Sequence, residues 1–139
     1  MPRFAWILLF LASMLFSIAA VAKEKYETSP VYFANLKDTQ LCLKAGKIYR
    51  GIKNQESDIF KNMEAEINKR KLINKDHLAW IFKKTLNIGA NECEMLAALG
   101  LPDNVNRTVS TNHINKQYIY GGNYIYIEDG LVTSWQDGN

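Results

Sequence analysis

The chain has 139 residues, of which 47% are hydrophobic and 22% charged, and Lys plus Arg exceed Asp plus Glu to give a formal net charge of +3. That length supports one modest core and is too short for two ordinary domains. The charge is nearly balanced, and the densest cationic cluster, Lys69-Arg70-Lys71, follows closely on Glu64 and Glu66. This excludes a nucleic-acid binder built on a basic face, and the cluster reads as a solvated helix end where cations suit the negative dipole terminus.

The N-terminus has the form of an export signal. Met1-Pro2-Arg3 is a short cationic head, Phe4 to Ile18 is apolar apart from Ser13 and Ser17, and Ala20-Val21-Ala22 has the small-x-small form of a processing site. Cleavage is expected between Ala22 and Lys23, giving a periplasmic or secreted protein. The competing reading is a retained anchor, because Phe4 to Ala22 approaches the roughly 20 apolar residues of a spanning helix. No Cys stands just after the apolar run, so no lipid anchor is expected. A polar N-terminal arm follows over 23–35, interrupted by Pro30.

The helical half comes next. Leu36 to Ala45 reads as a short helix stopped by Gly46. Ile59, Phe60, Met63 and Ile67 keep a spacing of three to four residues to Leu72, with Lys61, Glu64, Glu66 and Lys69 on the other side, the pattern of an amphipathic helix on a core. Both signs of charge on the polar face disfavour a membrane-surface helix. Asp76 is placed to cap a further helix carrying Leu78, Trp80, Ile81 and Phe82. The firmest helix starts at Asn91, a good N-cap, has Glu92 and Glu94 in its first turn, and ends at Gly100 and Pro102. Its stripe of Met95, Leu96 and Leu99 must be buried against something.

After Pro102 the period changes to two. Val105–Thr111, Gln117–Tyr120, Tyr124–Glu128 and Leu131–Trp135 read as strands, joined by turns at Asn112-His113, at Gly121-Gly122-Asn123 and at Asp129-Gly130, the strongest hairpin signal present. Ile119, Ile125 and Ile127 are expected on one face, and Tyr118, Tyr120, Tyr124 and Tyr126 on the other. The fold class is therefore α+β: N-terminal helices packed on a small C-terminal antiparallel meander of three to four strands. A single domain over 36–139 is expected, with a helical extension (36–87) and a helix-plus-sheet core (88–136).

Within that core, Ile88-Gly89, Ala98-Leu99-Gly100-Leu101-Pro102, Asn106-Arg107-Thr108, Tyr120-Gly121-Gly122 and Glu128-Asp129-Gly130-Leu131-Val132-Thr133-Ser134-Trp135 follow one another in order. This run, roughly the last fifty residues, resembles the SmpA/OmlA, or BamE-like, family of small bacterial envelope proteins. The resemblance implies helices on an antiparallel sheet, no catalytic residues, and protein contacts during outer-membrane protein assembly. Three features depart from the family pattern: there is no lipidation cysteine, Ala90 stands where Met usually follows the Ile-Gly pair, and the segment before the motif is long.

Cys42 and Cys93 are an even pair in a chain that reads as exported, so a disulfide tying the helical extension to the core is expected; the alternative is two unpaired small residues on helices. There is no C-x-x-C pair to activate a thiol. His77 and His113 lack ligand-spaced partners, so neither metal nor cofactor is expected. Glu128 and Asp129, adjacent on a strand, should point to opposite faces. Asn106-Arg107-Thr108 also matches a glycosylation acceptor. The remaining pointer is aromatic: Tyr118, Tyr120, Tyr124, Tyr126 and Trp135, with Arg107, form a candidate interface, although cross-strand packing explains the aromatics equally well. Two functions follow. One is an exported non-catalytic binding module with an envelope or secreted protein as partner. The other is a small ligand-binding protein or enzyme with a pocket between the helices and the sheet.

Overall fold

The computed structural model describes residues 17–138. The expected signal peptide therefore lies outside the described residues except for 17–22, which belong to a helical stretch over 17–27 (α1). No helix among the described residues is long and apolar enough to cross a membrane.

The expected polar arm is helical. Pro30 does not interrupt a segment but opens α2 (Pro30–Asn35), where its missing N–H costs nothing at the first helical position; Ser29 is the N-cap and accepts a hydrogen bond from Tyr32 N at 3.2 Å. Phe33 of this helix is fully buried.

Helix α3 (Asp38–Gly51) runs straight through Gly46, where a stop is expected from the sequence. The glycine is there for space. A Cβ at Gly46 would lie 2.0 Å from the Ala97 carbonyl oxygen of the neighbouring helix, so the two backbones touch. Helix α4 (Asp58–Arg70) buries Phe60, Met63 and Ile67 as its spacing predicts. Glu66, expected to face water, is buried, because Arg70 one turn on covers it: Nε donates to Oε1 at 2.7 Å. Arg70 also donates to Asp38 Oδ1 and to the carbonyls of Phe33, Ala34 and Leu36. One residue of the cationic cluster thus clamps the end of α2 instead of standing in solvent. The guanidinium holds the Glu66 carboxyl below its usual range.

Asn74, not Asp76, caps the next segment, accepting from Asp76 N at 3.1 Å and starting a 3-10 turn (Lys75–His77) that leads into α5 (Leu78–Lys83). Helix α6 (Glu92–Leu99) has the expected Asn91 cap in full capping-box form: Asn91 Oδ1 accepts from Glu94 N and Glu94 Oε2 accepts from Asn91 N, both at 2.9 Å.

The sheet has four antiparallel strands in sequential order, β1 (Asn104–Val109), β2 (Ile114–Tyr120), β3 (Asn123–Glu128) and β4 (Leu131–Gln136). Strand β1 is shorter than expected and β2 longer at its start. The Asp129-Gly130 hairpin forms with both residues at positive φ, 48° and 89°, as a type I′ turn demands. The expectation that four tyrosines share a face fails, for a reason of parity. The loop between β2 and β3 is the two-residue Gly121-Gly122, so Tyr120 pairs with Asn123, Tyr118 with Ile125 and Ile119 with Tyr124. Every even-numbered residue of β2 therefore shares a face with odd-numbered residues of β3. Tyr118 and Tyr120 join Ile125 and Ile127 on the inner face; Ile119 joins Tyr124 and Tyr126 on the outer one.

The inner face meets the helices. Met95 and Leu96 are buried with Tyr118, Ile125, Ile127 and Val132 in one cluster that also holds Phe33, Leu41, Phe60, Met63, Ile67 and Ile81; Leu99 packs against it, half-buried. The segment before α6 runs along the start of β4, with Gly89 N donating to Val132 O and Val132 N to Ala90 O, each at 2.8 Å. The result is an α+β fold in which helices cover one side of a meander.

Candidate functional site

The two cysteines are bonded. Cys42 of α3 and Cys93 of α6 form a disulfide with Cα atoms 5.2 Å apart, and both line a hollow of about 340 Å³ with Asp38, Thr39, Lys71 and Glu92. Along the same pair of helices, one turn further, Gly46 meets Ala97; one turn beyond that, Arg50 Nη1 donates to Ala97 O at 2.5 Å. Positions 42, 46 and 50 thus stitch α3 to α6 at three successive turns.

The predicted interface residues separate into three environments. Tyr118 is buried, and its hydroxyl donates to Glu92 Oε1. Tyr120 is half-buried, donating to Gly100 O at 2.9 Å. Burial pushes both phenols well above their usual range, helped at Tyr118 by the carboxylate acceptor. These two hold the sheet to the ends of α6 and present little surface. Trp135 lies on the inner face opposite Ile125, but at its rim, 45% exposed, beside Leu86 and Leu99. Arg107 stands on β1 with no side-chain hydrogen bond or ion pair among the described residues. Its cross-strand partner Lys116 donates to Glu92 Oε2 at 2.6 Å.

Tyr124 and Tyr126 remain on the outer face, half-buried among side chains of the sheet itself. There a polar ladder crosses all four strands: Asn106 Nδ2 donates to Gln117 Oε1 at 2.9 Å, Gln117 Nε2 to the Tyr126 hydroxyl at 3.2 Å, and that hydroxyl to Gln136 Oε1 at 3.4 Å. No helix among the described residues covers this face. The expected face assignment, one residue out, does not show this ladder; corrected for parity, Asn106, Gln117 and Tyr126 fall in a line, and Gln136 reaches it diagonally from two residues beyond Ser134, the partner of Tyr126.

Two histidine–carboxylate pairs are also assembled. His77 Nδ1 lies 3.0 Å from Glu94 Oε2, and its ring stacks on Trp80 at 3.7 Å. Glu94 is 2% exposed and also accepts from Asn74 N at 2.8 Å, so it joins the 3-10 turn, α5 and the cap of α6. The Asn91-x-x-Glu94 spacing was the signal for this buried acid. At the other end of the sheet His113 Nδ1 lies 2.9 Å from Asp129 Oδ2 and 3.5 Å from Glu128 Oε1. The two acids reach the same imidazole, contrary to the expectation of opposite faces, because Asp129 sits in the turn at positive φ where strand alternation has ended. One donor atom from each of the three lies within 4.8 Å of the others, the nearest approach to a metal-ligand set among the described residues. All three are exposed, and hydrogen bonds account for their arrangement: Asp129 Oδ1 accepts from Ile114 N at 3.0 Å. Asp129 raises the His113 pKa; in turn the Ile114 N–H and then His113 lower that of Asp129. The side-chain hydrogen bonds of both histidines run to carboxylates, and the Ser110 hydroxyl beside His113 donates to its backbone carbonyl, not to the ring.

Comparison of the chain with protein-family models, with curated proteins and with solved structures returns no match.

Proposed function

We propose that this chain is an exported, non-catalytic protein-binding module of the bacterial cell envelope, linked to outer-membrane protein assembly or envelope integrity. The observation that carries the reading is the one-sided sheet: helices bury its inner face, while the outer face keeps Tyr124, Tyr126 and an amide ladder in contact with solvent. Aromatic rings with polar tips on rigid strands lose little conformational freedom on docking. Export is supported by the N-terminal signal pattern and by the disulfide, which persists in oxidising compartments. The assembly role rests on the BamE-like resemblance of the last fifty residues.

The test is crosslinking and affinity capture of the tagged chain from a native envelope fraction, beside Tyr124→Ala and Tyr126→Ala. A partner recovered by the wild type and lost from both variants supports the reading; identical recovery removes the outer face as the docking surface. The second reading, a ligand-binding protein or enzyme, has one observation in its favour. The hollow of about 340 Å³ beside the disulfide lies between the helical half and the β3–β4 turn and holds Asp38, Thr39, Lys71 and Glu92. Binding of a small molecule that is lost on substituting Thr39 or Lys71 and kept by the tyrosine variants would favour it.

A further inference from the structure

Among the described residues strand β1 is a free edge. All six of its residues are exposed, and the one strand it pairs with among them is β2, whereas the start of the opposite edge, β4, is covered by residues 89–91. The phase of its hydrogen bonding is fixed by Ser110 N donating to His113 O at 2.9 Å. Counting back along an antiparallel ladder by twos, Asn104, Asn106 and Thr108 bond to β2, and the backbone groups of Val105, Arg107 and Val109 point away from the sheet. Val105 N is indeed turned to a local acceptor, Asn104 Oδ1, at 2.8 Å. Free backbone donors and acceptors on a regular edge are a template for another strand.

The side chains beside that edge specify what the strand carries. Val105, Arg107 and Val109 all lie on the inner-face side, with Val105 39% and Val109 58% exposed, and Ile114 next to Val109 41% exposed. Between the two valines Arg107 sits opposite Lys116, and the nearest carboxylate from α6 is taken up by β2 alone. That carboxylate, Glu92, accepts from Lys116 and Tyr118. In the hollow of about 440 Å³ that Arg107 shares with Ile114, Lys116 and Glu92, the second acid on the wall, Asp129, is bound to His113 and Ile114 N, so both acids are engaged and Arg107 has no ion-pair partner among the described residues.

We propose that β1 takes up an extended segment of a partner protein as a fifth strand, and that the segment alternates apolar, acidic, apolar, its acid on Arg107 and its apolar residues on Val105 and Val109. This rests on the protein-binding reading above and names the partner's chemistry. A second copy of this chain is a poor occupant. Antiparallel pairing of these outward positions about Arg107 sets Arg107 against Arg107, and like charges directly opposite each other oppose pairing.

The experiment is fluorescence anisotropy of the full chain with two labelled peptides, Thr-Val-Thr-Glu-Thr-Val-Thr and the same sequence with Lys for Glu. The wild type is expected to prefer the Glu peptide by about fivefold, the upper end for a cross-strand ion pair. Arg107→Glu should invert that preference. Val109→Pro should weaken the Glu peptide by about tenfold with an unchanged unfolding temperature, because the lost N–H faces solvent and not β2. Lys53→Ala, at an exposed position just after α3, should leave peptide affinity alone. No charge preference in the wild type, or a preference indifferent to Arg107→Glu, overturns the inference. So does a concentration-dependent dimer in sedimentation that Val109→Pro abolishes, which would assign the edge to a second copy. Partner capture that survives in Val109→Pro and Arg107→Glu overturns this edge alone; peptide selectivity that persists while the tyrosine variants capture normally overturns the outer-face reading alone.

Discussion

Replacing Gly46 by Ala puts the packing of α3 on α6 to a severe test. The added methyl would lie 2.0 Å from Ala97 O, 2.7 Å from Ala97 C and 2.8 Å from Ala97 Cα, all backbone atoms of α6, where ordinary carbon–oxygen contact needs about 3.3 Å. The helices would have to part by more than about 1 Å. They are held one turn earlier by the Cys42–Cys93 disulfide and one turn later by Arg50 on Ala97 O, so relief by sliding is blocked. Against this, alanine gains about 1 kcal/mol of helix propensity over glycine. Overpacking of a tight contact costs typically 1–3 kcal/mol and here sits at or above the top of that range. The expected net loss is about 2 kcal/mol, which lowers the urea midpoint by about 1 M for a chain of this size. Gly51→Ala is the control: it is in the same helix, and a Cβ there meets nothing within 4 Å. Gly46→Ala as stable as the wild type, or more so, would refute the close approach of the two helices.

Reducing the disulfide frees a separation of 51 residues and should cost about 4 kcal/mol on the loop-entropy account, read as a shift of the urea midpoint with and without dithiothreitol. Free-thiol titration of the oxidised protein should find none; two thiols would contradict the bond. Glu94→Gln leaves the donors from Asn74, Asn91 and His77 facing an amide with one oxygen, and should destabilise by about 1–3 kcal/mol in thermal unfolding. An unchanged midpoint would show that the buried acid is not the junction it forms here. The His113–Asp129 pair fixes a pH window. His113, whose pKa is raised, adds stability present below the unfolded value of 6.5 and lost as pH rises through the folded one. Asp129, whose pKa is lowered, adds stability present above 3.8 and lost as pH falls through its folded value. Titration of the His113 ring by NMR should give a pKa above 6.5 that returns toward it in Asp129→Asn, a change the positive-φ turn tolerates; no difference between the two proteins would refute the pairing.

What could be read from the chain was whatever local chemistry decides. Asn91 caps its helix, Gly100 ends it, and Asp129-Gly130 turns a hairpin, because each needs only near neighbours. The α+β class followed from the change of period after Pro102. What escaped depends on partners distant in sequence or on a single residue of phase. Gly46 reads as a stop until Ala97 is seen against it. Pro30 reads as a break until Ser29 is seen to cap a helix starting there. Glu66 and Arg70 look like surface charges until α2 brings its carbonyls to them. Strand alternation alone puts the four tyrosines on one face, and the two-residue loop shifts the parity between β2 and β3. The same shift of parity brings Asn106, Gln117 and Tyr126 onto one face. Of the candidate interface, Tyr118 and Tyr120 hold the sheet to α6, and Arg107, Tyr124 and Tyr126 stand where a partner can reach them.

The account turns on a sheet with one face and one edge left open, and the most direct measurement is residue-resolved amide hydrogen exchange along β1. The amides of Asn106 and Thr108, bonded into β2, should exchange slowly, while those of Arg107 and Val109, pointing to solvent, should exchange orders of magnitude faster. Protection of all four alike, or of none, would contradict it.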